Sequence, residues 1–153
     1  MPKFKGSSER SFTIRADIER VVQTMTDPQS FSGLVGDLET IERLGDDLWR
    51  WRLREISEKG VHFKADYTIQ YARSGERFSW RTVGTGNMTS EGSATFTRQG
   101  SATRVDYTET IECDMDVNRL LAKVIKPIVD RQIARGVNGY LDRVKEHLEV
   151  TSR

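Results

Sequence analysis

RVDYTETIE (residues 104–112) alternates with a period of two. Val105, Tyr107, Glu109 and Ile111 share one side, while Arg104, Asp106, Thr108, Thr110 and Glu112 share the other. That is the pattern of a half-buried strand. A carboxylate therefore stands among the apolar positions. Three readings of Glu109 are open: a flaw in the alternation, a solvated strand end, or the polar group of a binding site.

Beyond this strand, Asp116 is placed to N-cap a helical segment reaching about Val150. At ~100° per residue, Val117, Leu121, Val124, Ile125 and Ile128 form one stripe. Val129, Ile133, Val137, Tyr140, Leu141, Val144 and Leu148 form another, roughly on the opposite side. The switch falls at Pro127, which suits a first helical turn and disfavours helical geometry at Lys126. A break or sharp kink is predicted near 126–128, with the longer C-terminal piece covering a sheet. The shorter piece then needs a partner of its own. Pocket closure or a homodimer face through Val117, Leu121, Val124 and Ile128 is the preferred expectation, so the protein is expected as a monomer or homodimer.

Upstream, RSFTIRA (10–16) reads as a first strand, and Asp17 can cap a helix carrying Ile18, Val21, Val22 and Met25 on one face. A second short helix or loop follows from Pro28, with Phe31, Leu34 and Val35 as a possible pocket rim. LETIERL, LWRWRLREI, VHFKADYTIQY, RFSWRT and GSATFT then alternate between turn signals. With the first strand and 104–112 these make seven strands, mostly hairpin-connected, in an antiparallel sheet with one apolar and one wet face. The 153 residues are read as one domain, 1–153, with 1–8 and 150–153 frayed.

The order of elements resembles the helix-grip fold of the SRPBCC, or START-like, superfamily, which includes START domains, birch-pollen-allergen-like proteins and polyketide cyclases. The likeness rests on SFTIRADIERVVQTMTDPQSF (11–31), the ERLGDD turn (42–47), the pair GSATFT (92–97) and GSATRVDYTETIE (100–112), and YLDRVKEHLE (140–149). It is nearest to the polyketide cyclase/dehydrase and lipid transport group, and is similar to the accessory proteins of carbon monoxide dehydrogenase. The resemblance implies an α+β fold in which a curved seven-stranded antiparallel sheet wraps a long C-terminal helix, with two short helices after the first strand. It also implies an apolar cavity between sheet and helix.

The alternation says which side chains point toward such a cavity. Trp49 and Trp51 come from one strand and Phe63, Tyr67 and Tyr71 from the next. Phe78, Trp80, Phe96, Tyr107 and Glu109 follow, with Val137 and Leu141 from the helix. Large aromatics with a few polar tips suit a small-molecule pocket, although aromatic stripes also simply fill cores. Glu109 is the leading acid/base or anchoring candidate, with Asp130 second; a hydrated or arginine-paired Glu109 is the bland alternative.

Other chemistry finds little support. Lysine plus arginine (24) nearly balances aspartate plus glutamate (23), giving no general pull toward nucleic acid. Arg50, Arg52, Arg54, His62, Lys64 and Arg81 read as a solvated outer sheet face. His62 and His147 do not cluster with the single cysteine, Cys113, so no metal is expected. VGTGNMTSEG fails the dinucleotide fingerprint and reads as a hairpin loop, and no cofactor is implied. No segment resembles a signal peptide or membrane span, which makes a cytoplasmic protein the expectation.

The leading functional expectation is a carrier of a small hydrophobic molecule such as a lipid, isoprenoid or polyketide-like compound. Whether it is an enzyme stays open. The alternatives are a cyclase, aromatase or dehydratase using Glu109 as acid/base, and an accessory or maturation factor for a larger oxidoreductase or membrane complex.

Overall fold

The computed structural model describes residues 2–151. A seven-stranded antiparallel sheet packs against a long C-terminal helix, as the resemblance implies. The first strand, β1 (Lys3–Ile14), is followed by two short helices, α1 (Ile18–Thr26) and α2 (Pro28–Phe31), and a single 3-10 turn at Ser32–Leu34. Asp17 caps α1 by accepting from the Glu19 N–H, and the helix buries Ile18, Val21, Val22 and Met25.

The remaining elements are β2 (Leu38–Gly45), β3 (Leu48–Leu53), β4 (Ile56–Glu58), β5 (Val61–Phe63), β6 (Asp66–Ser74), β7 (Arg77–Val83), β8 (Met88–Gln99), β9 (Ala102–Asp114) and α3 (Arg119–Thr151). The large sheet runs β1-β9-β8-β7-β6-β3-β2, and β4 pairs with β5 alone. β9 thus lies between β1 and β8, in the sheet interior, with Tyr107 and Glu109 on one face.

Several boundaries differ from expectation, each for a local reason. Residues 3–8 are not frayed: β9 continues to Asp114, so β1 pairs along its whole length from Lys3↔Asp114 to Ile14↔Thr103. At the other end α3 reaches Thr151; residues 1, 152 and 153 of the expected frayed ends lie outside the described residues. The expected strands 48–56 and 61–71 are both interrupted. The Asn87 side chain accepts from the Asp66 N–H at 2.9 Å and donates to the Lys64 carbonyl at 2.7 Å, ending β6 at Asp66. The Arg54 N–H turns to the Asp37 carbonyl. The intervening chain folds into the small β4–β5 hairpin, turning through Lys59 and Gly60, both at positive φ.

The largest correction concerns α3. It runs through Pro127 without the expected break. Pro127 is an exposed interior position, and only the N–H that would bond to the Lys123 carbonyl is lost there. On either side of it Ile125, Ile128 and Val129 hold the helix against the protein interior. Gln132 and Gly136 join Ile125 and Ile128 of one stripe to Val129, Ile133 and Val137 of the other on a single band facing the cavity. Asn118, not Asp116, caps α3: its side chain accepts from the Leu121 N–H at 2.8 Å.

Candidate functional site: an aromatic cavity around Glu109

Between the sheet and α3 lies a cavity of about 480 Å³. Its walls hold a connected series of rings. Trp51 stacks on Phe31 at 5.7 Å, and Phe31 meets Tyr71 and Tyr140 edge-on at 6.0 Å each. Tyr71 stacks on Phe78 at 5.3 Å, which leads to Trp80 and then Tyr107. The chain has four tyrosines, and all four, Tyr67, Tyr71, Tyr107 and Tyr140, line this space. The Trp51 indole N–H faces toward the Tyr71 hydroxyl but falls short of hydrogen-bond geometry, leaving it a buried donor without a partner among the described residues.

Glu109 lies inside this aromatic shell; its partners come from β8 and from its own strand β9, and β7 supports the first of them. The Ser90 hydroxyl donates to Oε2 at 2.6 Å and the Tyr107 hydroxyl donates to Oε1 at 2.8 Å. Trp80 Nε1 in turn donates to Ser90 Oγ at 3.2 Å. Gly92 makes this crossing possible. It faces Glu109 on one side and Trp80 on the other, and a Cβ there would press into the Thr108 carbonyl and come within 2.6 Å of Trp80 Cζ2.

Burial raises the Glu109 pKa above that of an ordinary carboxylate, although the hydrogen bonds from Ser90 and Tyr107 oppose the rise. Burial also raises all four tyrosines, and the Glu109 charge pushes each further up, so the phenols are neutral at pH 7. Cys113, also on the cavity wall, is pushed up to about 12 by burial, with Asp114 and Glu112 adding to the rise. No arginine, lysine or histidine among the described residues forms a salt bridge with Glu109. The arginine-paired alternative gives way to a half-buried carboxylate held by neutral donors.

Of the residues expected to face the ligand, Trp51, Phe63, Tyr67, Tyr71 and Phe78 line the cavity, as do Trp80, Tyr107, Glu109 and Val137. Three do not. Phe96 is buried opposite Val105 in the packed core. Leu141 is fully buried in the core, and Trp49 packs half-buried against the core. All three lie on the expected faces, but the void occupies only part of the interior. Asp130 is also outside it, paired with Lys126 at 2.7 Å on the flank of α3. Of the first apolar stripe, Ile125 and Ile128 line the cavity, Val117 and Leu121 pack against the core, and Val124 stays 55% exposed.

Sequence reasoning missed Ser90 and underrated Tyr140. Ser90 falls in a stretch with the composition of a loop, whereas β8 begins at Met88 and places Met88, Ser90, Gly92 and Ala94 on one face. The cavity mouth is bordered by exposed Asp37, Arg54, Glu58, Arg135 and Arg143. Arg54 does not join the outer face as expected; β3 ends at Leu53, and Arg54 stands exposed at the cavity mouth. Among the described residues no cluster of histidine, cysteine or acidic groups could hold a metal.

The sequence model of the family described as polyketide cyclase / dehydrase and lipid transport matches residues 5–149. The chain belongs to this family. Solved structures agree with the fold. A START-superfamily protein from Mycobacterium smegmatis superposes with a TM-score of 0.71 at 10% identity, over 95% of this chain and 98% of the other. An aromatase/cyclase from a Streptomyces species gives 0.68 at 13% identity, covering 97% and 96%. A protein from Thermus thermophilus gives 0.67 at 19% identity, covering 99% and 100%. At such identities the likeness is one of fold. A search of curated protein sequences gives no significant match. The similarity to accessory proteins of carbon monoxide dehydrogenase stays an expectation of the sequence. In this member of the family, Glu109, Ser90, Tyr107 and Trp80 form one hydrogen-bonded series on the cavity wall. No helix among the described residues is long and apolar enough to cross a membrane.

Proposed function

We propose that the protein binds a small hydrophobic molecule in the cavity between the sheet and α3. The observation that carries this reading is the cavity itself: about 480 Å³, walled by connected aromatic rings and aliphatic side chains, with a half-buried carboxylate inside. A void of that size forfeits packing unless something fills it. A ligand burying a few hundred Å² of apolar surface gains about 25 cal/mol per Å², from which the entropy losses of association are subtracted. Displacement of an environment-sensitive apolar dye tests it. The wild type should take up the dye, and Tyr67→Ala should weaken uptake about tenfold or more; a folded wild type that binds no dye would count against the reading.

A second reading, acid/base catalysis, is favoured by one observation. Glu109 is half-buried, raised in pKa and hydrogen-bonded to a neutral phenol, which is how a proton-transfer pair is built. Glu109→Gln separates the two. Turnover of a bound ligand should vanish in the variant under the catalytic reading, while carriage alone leaves only affinity to change.

A further inference from the structure

Glu109 lacks one thing a buried carboxylate normally has. Its two held oxygens each accept a hydrogen bond, from Ser90 at 2.6 Å and from Tyr107 at 2.8 Å, and both donors are neutral. Among the described residues no Lys, Arg or His forms a salt bridge with it. Neutral donors offset part of the cost of burying a charge, but burial without a counter-ion is the costly case. A carboxylate also offers about four acceptor positions, so about half of that capacity is unspent and available to the lumen.

The surrounding groups discriminate among possible occupants. Tyr67, Tyr71, Tyr140, Trp80 and Phe78 share the lining with Glu109. Aromatic faces attract cations and disfavour anions. Neither the Tyr67 nor the Tyr140 hydroxyl has a hydrogen-bond partner among the described residues, so both oxygens are open as acceptors. An ammonium brings three N–H donors, enough for Glu109 and two phenol oxygens. A carboxylate would meet like charge, and an alcohol brings a single donor. At the mouth Arg54, Arg135 and Arg143 stand with Asp37 and Glu58, all exposed, so the entrance is mixed in sign and screened by solvent.

Resting on the reading of the cavity as a ligand pocket, we infer that it selects molecules whose apolar body carries a protonated amine, the ammonium pairing with Glu109 inside the tyrosine shell. Ser90 and Tyr107 are the positioning residues: they fix the carboxylate so that its free acceptor positions remain open to the lumen.

The test is calorimetric titration at pH 7 with three probes sharing one apolar body: naphthylethylamine, naphthylethanol and naphthylpropionic acid. The amine should bind about tenfold or more tighter than the alcohol, with the acid weakest, the range of a charge-assisted hydrogen bond. Glu109→Gln should abolish that preference, bringing the amine down to the affinity of the alcohol. Tyr67→Phe, which keeps the ring and removes the acceptor, should reduce the preference severalfold, and serves if the first variant does not fold. An alcohol that binds as well as the amine, or a preference that survives in both variants, overturns the ammonium inference and leaves the pocket reading intact. If none of the three binds the folded wild type, both fall.

Discussion

Glu109 sits where a period of two placed it, on the apolar face of 104–112, and what the alternation could not convey was its company. Ser90 belongs to β8, whose first residues read as a polar, glycine-containing loop because small side chains give no hydrophobic signal. Gly92 was equally opaque, since its role is to leave room for the Trp80 indole. Gly92→Ala should therefore destabilise the protein by about 2 kcal/mol or more, measured by denaturant unfolding, because the clash is with backbone as well as ring. An alanine tolerated at no cost would mean that Trp80 does not cross β8 as described. Glu109 itself carries a signed pH dependence. Its pKa is raised above the ordinary 4.5, so the stability it contributes is fully present below that value and is lost as pH rises through the folded pKa. The stability of Glu109→Gln relative to wild type should consequently improve from acidic to neutral pH in the ligand-free protein. A difference that stays flat with pH would show the carboxylate to be solvated.

At the scale of elements, α3 is where local rules and the fold disagreed most. The change of apolar face and the proline both pointed to a break, yet a helix that borders a cavity can rotate its inward face along its length. Pro127→Ala should raise the midpoint of thermal unfolding, adding about 1–3 kcal/mol by restoring a helical N–H and removing the ring's clash. A drop in stability would mean that the proline shapes the helix for the cavity wall. The far end of α3 is tied to the N-terminal region through Glu149, which accepts from Lys145 Nζ at 2.6 Å and the Arg15 N–H at 2.9 Å. These bonds, the Lys145 one foremost, lower its pKa to about 2. The stability it confers is thus present above its ordinary pKa and is lost as pH falls through about 2. Glu149→Gln should cost about 1–2 kcal/mol at pH 7, with the deficit shrinking in acid; an equal deficit at all pH values would assign the effect to packing.

For the whole molecule, the order of strands and helices was legible because turn residues and clean alternation punctuate the chain, and the family match over residues 5–149 rests on the same pattern. The extent of the cavity was not legible. Trp49 and Trp51 alternate onto one face, as do Tyr107 and the strand residues around it, but packed core and open lumen call for the same hydrophobic side chains. Only the third dimension separates Leu141, sealed in the core, from Val137, on the cavity wall. For the same reason Tyr140 reads in the sequence only as one member of an apolar helical stripe. The measurement that bears most directly on ligand carriage is native mass spectrometry of the protein purified from its own host, with extraction and identification of whatever is bound. The expected result is a discrete small-molecule adduct that is depleted in Trp51→Ala and Tyr67→Ala and whose extracted mass belongs to a largely apolar compound. A folded protein that emerges empty, and stays empty after incubation with a lipid extract of the host, would contradict it.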